Sequence, residues 1–328
     1  MCKKGSEMVD LVLKDRKILY ELDLNCRQSN TQIGKKVGLS RQVVEYRIKR
    51  MEDEGVIQNY YTVIDTYKLG YTFYRYYINL QSISRKKKQE IIDHFVNYKK
   101  ISTVATARGI YDLIVVFWVD DIAEFYDFWK KTLEQYGNQF SERIFSLYIH
   151  GRGYPKSFLI YEESDVIEPL RVDSFGVTKR INIDEVDYRL LNEMALKARI
   201  PLVNLAEVLG CSSQNVMYRM DKLHKNGLIQ SFRTAVNLQE LGFKQFKVNI
   251  QLRDFSKRMH IIKHLENSPL LYYFSVSLGL CDLEFELIVR DANHLLDIMD
   301  NISDEFPDSI RNYDYYSEIV NYKETFLP

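Results

Sequence analysis

LSRQVVEYRIKRMEDEGVI, residues 39–57, opens on a serine suited to cap a helix and stops at Gly55. Between these ends, Val44, Ile48 and Met51 recur at helical spacing and predict one buried face. The chain writes the same stretch again as CSSQNVMYRMDKLHKNGLI, residues 211–229. A shift of 172 aligns residues 15–80 with 187–252 without a gap. Asp15/Asp187, Arg27/Arg199, Gly38/Gly210, Tyr46/Tyr218, Arg47/Arg219 and Gly55/Gly227 are identical pairs. Further on, GIYDLIVV from Gly109 matches GLCDLEFEL from Gly279 at a shift of 170. The repeat is one long unit used twice, not a short solenoid repeat.

Each unit has two parts. In the front part, Ile18, Leu19 and Leu22 make a first helical stripe, with Asp15 as its expected cap. Ile33 and Val37 mark a second helix, and Gly38-Leu39-Ser40 a tight turn into the third. Three helices with this turn predict a helix-turn-helix, winged by the extended segment after Gly55. In the back part, strand-like YTFYRYYINLQ, helical RKKKQEIIDHFVNYKK, two strands about Gly109, helical DIAEFYDFWKKTLEQY and a final strand ERIFSLYIHG follow in turn. That order is β-α-β-β-α-β, the ferredoxin-like arrangement, and the second half repeats it. The fold class expected is α+β: two winged helix-turn-helix units (10–66 and 183–238) and two ferredoxin-like domains (67–160 and 239–328). A polar linker, 161–182, joins the halves.

Composition is that of a globular chain, 46% apolar and 27% charged. It has 45 basic and 45 acidic residues, so charge distribution matters more than the sum. No run of 18 apolar residues marks a membrane span, and the N-terminus lacks the apolar core of a secretory signal. Cys2, Cys26, Cys211 and Cys281 lie far apart, which fits a reducing cytoplasm and argues against structural zinc. His260 and His264 stand one helical turn apart without a third ligand and read as a solvated pair. The chain carries no P-loop, GxGxxG or Gly-x-Ser-x-Gly, so no catalytic set, cofactor or metal is expected.

The order helix-turn-helix then βαββαβ resembles the Lrp/AsnC family of transcription regulators. The matching words are DRKILYEL at Asp15, Asn25-Cys26-Arg27, VGLS at Val37, YRIKRMEDEGVI at Tyr46, LGY at Leu69 and GIYDL at Gly109. The resemblance covers nearly the whole chain, twice. Members of that family usually carry one unit per chain and dimerise by packing their sheets together. The tandem fusion therefore implies a pseudo-dimer within one polypeptide, with further self-association of chains through sheets or exposed helices.

Double-stranded DNA is the expected partner, read by the exposed face of each third helix. In the first copy that face comprises Ser40, Arg41, Gln42, Glu45, Tyr46, Lys49 and Arg50. Arg41 can pair with guanine and Gln42 with adenine, while Lys49 and Arg50 can grip phosphate. In the second copy it comprises Ser212, Ser213, Gln214, Asn215, Tyr218 and Lys222. Arg47 and Arg219 lie near the buried edge, where an ion pair or phosphate clamp outranks base reading. Residues 1–70 hold 13 Lys/Arg against 10 Asp/Glu, and residues 181–242 hold 7 against 7, so the first copy should attract phosphate more strongly.

The resemblance also implies a small effector such as an amino acid, bound at the Gly-x-x-Asp turns. The matching residues are Arg108, Gly109, Tyr111 and Asp112, then Gly279, Cys281 and Asp282. Against this stands the plainer reading that each aspartate only fixes a hairpin. Two rival functions share the architecture: a siroheme-decarboxylase-like enzyme, and a DNA-bound architectural protein that recruits transcription machinery through its tyrosine-rich surfaces. The strands beginning at Gly109 and Gly279 carry no histidine, which counts against the enzyme.

Overall fold

A computed structural model of the chain describes residues 11–170 and 172–328; Cys2 and Asp10 lie outside these. The first unit begins with α1 (Leu13–Leu24), α2 (Asn30–Val37) and α3 (Arg41–Asp53). Ser29 and Gln32 cap α2 reciprocally, Ser29 N donating to Gln32 Oε1 at 2.8 Å and Gln32 N to Ser29 Oγ at 3.2 Å. Gly38 ends α2 at φ 69°, as Gly210 ends its counterpart at φ 67°. Asp15 does not cap α1. Val12 holds that position without a side-chain bond, and Asp15 lies in the first turn with its carboxylate turned to α3.

β1 (Ile57–Ile64) follows this helix trio, and β7 (Ile229–Val236) follows α6 (Glu185–Ala195), α7 (Leu202–Leu209) and α8 (Ser213–Lys225). Neither strand folds back within its own unit. β1 and β7 pair antiparallel with each other, so the extended segments join the two helix-turn-helix units into one body. The joint has an approximate twofold. Cys26 N donates to Phe232 O at 2.8 Å, and its counterpart Ala198 N donates to Tyr60 O at 2.9 Å. Asp65 N reaches Leu228 O at 2.8 Å, and Asn237 N reaches Val56 O at 2.9 Å. On the axis itself Tyr61 stands opposite Arg233, the residue that replaces it in the second copy.

The first ferredoxin-like domain comprises β2 (Thr72–Leu80), α4 (Arg85–Val96), β3 (Ile101–Gly109), β4 (Leu113–Val119), α5 (Ile122–Tyr136) and β5 (Phe140–Gly153). The second comprises β8 (Lys244–Leu252), α9 (Arg258–Glu266), β9 (Leu271–Leu278), β10 (Leu283–Val289), α10 (Ala292–Glu305) and β11 (Ile310–Glu324). Their sheets run β5-β2-β4-β3 and β11-β8-β10-β9. β11 pairs with β8 through its first half and crosses to β3 through its second. β5 does the same with β2 and then β9. The two sheets thereby close into an eight-stranded barrel. The polar stretch 161–182 also carries structure: β6 (Asp173–Gly176) adds to the free side of β5.

Period-two alternation explains which faces close inward. In β4, Leu113, Val115 and Phe117 pack outward with Ile91 and Phe95 of α4, leaving Ile114, Val116 and Trp118 for the interior. In β10, Leu283, Phe285 and Leu287 join the core with Leu295 and Met299 of α10, leaving Glu284 and Glu286 inside. Inside the barrel, β4 is therefore apolar and β10 acidic.

Two glycines let the seams close. A Cβ on Gly109 (φ 131°) would stand 2.6 Å from Tyr315 O of β11. A Cβ on Gly279 (φ 110°) would stand 2.8 Å from Phe145 O of β5, the matching seam. Gly109→Ala adds both a disfavoured φ and a backbone clash, and is expected to cost about 1–3 kcal/mol. Thermal denaturation should show a lower Tm with secondary structure retained; an unchanged Tm would mean the seam yields freely.

Candidate nucleic-acid interface

The recognition helices are built alike and stand clear of the body. Ser40 Oγ accepts from Val43 N at 3.3 Å, and Ser212 Oγ from Asn215 N at 3.2 Å, so both serines serve first as caps. Val44, Ile48 and Met51 are buried under α3, and Val216, Met220 and Leu223 under α8. Their opposite faces are exposed. Tyr46 is 68% and Tyr218 67% exposed, a matched pair of aromatic side chains with no fold role to hold them there. Arg41, Gln42, Glu45 and Lys49 surround Tyr46; Gln214, Asn215, Asp221 and Lys222 surround Tyr218, with Ser213 half-buried.

Four basic side chains are already engaged. Arg47 Nη1 donates to Asp15 Oδ1 at 2.7 Å and Arg50 Nη2 to Asp15 Oδ2 at 2.7 Å, around a carboxylate that is fully buried. In the second copy, Arg219 Nη1 reaches Asp187 Oδ1 at 2.6 Å and Asp184 Oδ2 at 2.7 Å. The Arg219 bonds hold the Asp184 carboxyl below the ordinary carboxylate range. Lys222 Nζ lies 3.5 Å from Asp187 Oδ2 but stays half exposed. The repeated aspartate thus clamps α1 to α3 and α6 to α8, which is why Asp, Arg and the following cation recur in both copies. Arg50, a candidate phosphate grip, is placed as part of this clamp. Arg41 and Lys49 have no ion-pair partner among the described residues and stay exposed on the outer face of α3. Lys49 has Asp221 as its counterpart and Arg41 has Ser213, so the second face is the less basic.

The two faces are held at a fixed relation by reciprocal contacts across the joint. Arg27 Nη1 donates to Ala198 O at 2.6 Å and Ile200 O at 3.0 Å. Its twin Arg199 donates to Asn30 Oδ1 at 3.2 Å and lies over the Tyr60 ring. The identical arginines of the repeat therefore staple one unit to the other rather than face DNA.

The Gly-x-x-Asp turns have structural work of their own. Asp112 Oδ2 accepts from Leu80 N at 2.9 Å, and Asp282 Oδ2 from Leu252 N at 2.8 Å, each tying the hairpin to the neighbouring strand. Tyr111 is buried against Tyr77 and Tyr316, and Gly109 and Gly279 serve the seams. Burial pushes the Cys281 thiol up to about 12, which leaves it unreactive. Arg108 is exposed. An open hollow of about 550 Å³ adjoins Gly279, Cys281 and Asp282 beside Arg253 and Arg311.

Residues 13–58 match the family described as winged helix-turn-helix DNA-binding, and residues 183–224 the AsnC-type helix-turn-helix domain. An uncharacterised HTH-type transcriptional regulator of Pyrococcus abyssi is 31% identical over 113 residues, 34% of this chain and 73% of its own length. The proline dehydrogenase transcriptional activator of Rhodobacter capsulatus is 30% identical over 120 residues, 36% of this chain and 78% of its own. The chain belongs to the Lrp/AsnC family of transcription regulators. These relatives are each less than half its length, so this regulator carries in one polypeptide the unit they carry singly. The siroheme decarboxylase NirDL covers 96% of the chain and 93% of itself with a TM-score of 0.62 at 12% identity, a likeness of fold alone. Among the described residues, no helix of this regulator is long and apolar enough to cross a membrane.

Proposed function

We propose that this regulator is a sequence-specific DNA-binding protein of the cytoplasm that reads an asymmetric site with two unlike helices. The observation that carries the reading is the pair of exposed helices α3 and α8, fixed by the β1–β7 joint and presenting different side chains from the same scaffold. Two identical readers related by a twofold favour a palindrome; two different readers favour two different half-sites. Association of chains would use the helix-covered outer faces, because both ferredoxin-like sheets spend their edges on each other. The first helix supplies most of the affinity through Arg41 and Lys49. The role is regulatory and not enzymatic, so incubation with siroheme should leave its absorbance spectrum unchanged.

Binding-site selection from random duplexes tests the asymmetry. The expected product is two dissimilar half-sites at constant spacing; a palindrome would count against it. Titration of the selected duplex tests the division of labour. Arg41→Ala with Lys49→Ala should weaken binding about tenfold or more, and should reduce the salt slope by nearly 1 per lost phosphate contact. Lys222→Ala with Lys225→Ala should cost clearly less. Equal losses from the two pairs would remove the dominance of α3.

A further inference from the structure

A half-open cavity of about 460 Å³ lies between the barrel and the β1–β7 joint. Aromatic side chains of Phe73, Trp118, Tyr148 and Tyr273 line it, together with the carboxylates of Glu286, Glu318 and Glu324. The charges around it do not balance. Lys247 Nζ lies 3.5 Å from Glu284 Oε2 and 3.3 Å from Glu286 Oε1, and Arg75 Nη1 lies 4.0 Å from Glu284 Oε2. Two cations thus answer two carboxylates. At the edge of the cavity, Arg233 and Lys156 answer Asp23 and Asp173 in the same way.

Glu318 and Glu324 are left over. Among the described residues Glu318 accepts no hydrogen bond and makes no ion pair, and Glu324 accepts only a 3.3 Å bond from Asn321 Nδ2. Both carboxylates face the cavity rather than packed side chains. Two polar groups buried behind its lining also lack a partner. Trp118 and Thr66 line the cavity at 2% and 1% exposure, and neither the indole N–H nor the hydroxyl has a protein partner. Buried polar groups in proteins are ordinarily paired.

We propose that this cavity binds a small organic cation, an alkyl- or arylalkylamine whose ammonium is held by Glu318 and Glu324 and whose apolar part lies on the aromatic wall. An excess of negative charge selects a cation, and aromatic faces add to the attraction. A carboxylate ligand would meet Glu286, Glu318 and Glu324, while Arg75 and Lys247 are already committed to Glu284 and Glu286. A bare metal ion is too small for the space, and no three metal-binding side chains cluster among the described residues.

Binding should depend on pH. Burial, then Glu286 and Glu324, push the Glu318 carboxyl up to about 7, against the opposing pull of Arg75 and Lys247. On the paired strand β3, Ala107 stands opposite it, with Arg108 opposite Ser317 and Thr106 opposite Val320. A proton therefore occupies Glu318 below neutrality, and a cation must displace it. Affinity should tighten as pH rises from about 6 to 8, with proton release on binding.

Calorimetric titration of the full chain, without DNA, tests this with phenethylamine and putrescine, and with 3-phenylpropionate as an anion of similar shape. At least one amine should bind, several-fold tighter at pH 8 than at pH 6, and Glu318→Gln with Glu324→Gln should weaken it about tenfold or more. No binding of either amine at pH 8, equal binding to the double variant, or preference for 3-phenylpropionate would overturn the proposal. Glu318→Gln alone controls for folding. It removes an unpaired charge that faces the cavity and should raise Tm at pH 8 but not at pH 5; a lower Tm at pH 8 would show the carboxylate to be answered by the protein, and would equally overturn it.

Discussion

Asp23→Ala is expected to cost roughly 3–5 kcal/mol in urea denaturation, because it strands two buried cations. Lys156 Nζ donates to Asp23 Oδ1 at 2.6 Å and Arg233 Nη2 to Oδ2 at 2.7 Å, while Lys156 N adds a 2.8 Å bond. All three side chains are at most 6% exposed. The cluster ties α1 of the first helix-turn-helix to β7 of the second and to the chain leaving β5, so its loss should loosen the joint between the two units. Burial alone would raise the Asp23 carboxyl, but Arg233 and Lys156 overcome it and hold it down at about 2. A depressed carboxylate stabilises above its unfolded value of about 3.9, and that contribution disappears as pH falls from there through about 2. The parent should therefore lose on the order of 2 kcal/mol across this window from this group, and the variant should not. A variant within 1 kcal/mol of the parent at pH 7 would mean the cations find other partners.

Glu284→Ala should be of comparable severity, about 3–5 kcal/mol by the same measurement. Glu284 is fully buried between the two sheets, where Ser275 Oγ donates to its Oε2 at 2.6 Å and Tyr77 Oη to its Oε1 at 3.3 Å. Despite burial, Lys247 and Arg75 bring its carboxyl below the ordinary range. Removal leaves Arg75 without its carboxylate and Lys247 with Glu286 alone. Glu284→Ile together with Lys247→Met should recover most of the lost stability, since it replaces an ion pair by apolar volume and gives the site the isoleucine of the first copy. If the double variant were as unstable as Glu284→Ala, packing rather than charge would be the cause.

The fold was legible because two independent periodicities agreed. Helical stripes at Ile18, Leu19, Leu22, Val44, Ile48 and Met51, with Gly38 and Ser40 between them, specify the helix-turn-helix locally. The duplication then repeated each signal. The exposed faces of α3 and α8 follow directly, since whatever is not on the buried stripe must face out. What escaped the reading is long-range. Nothing near Arg50 says that Asp15 is 2.7 Å away, although the shared Asp-Arg-cation pattern of both copies was a signal. β1 and β7 read as extended, but their partner across 172 residues could not be read from either alone. The charged interior was half visible: Glu284 and Glu286 alternate with Leu283, Phe285 and Leu287, so one face of that strand had to be acidic. Only barrel closure decides that this face turns inward.

The Tyr61–Arg233 register has a wider consequence. In an assembly of two identical chains, a residue on the dyad meets itself, so a lone arginine there would confront a second arginine. Covalent tethering removes that restriction. Arg233 can face a tyrosine and draw on Asp23, whose own counterpart is the neutral Ala195. Each half becomes free to drift from its twin, one substitution at a time, without every change being mirrored across the axis.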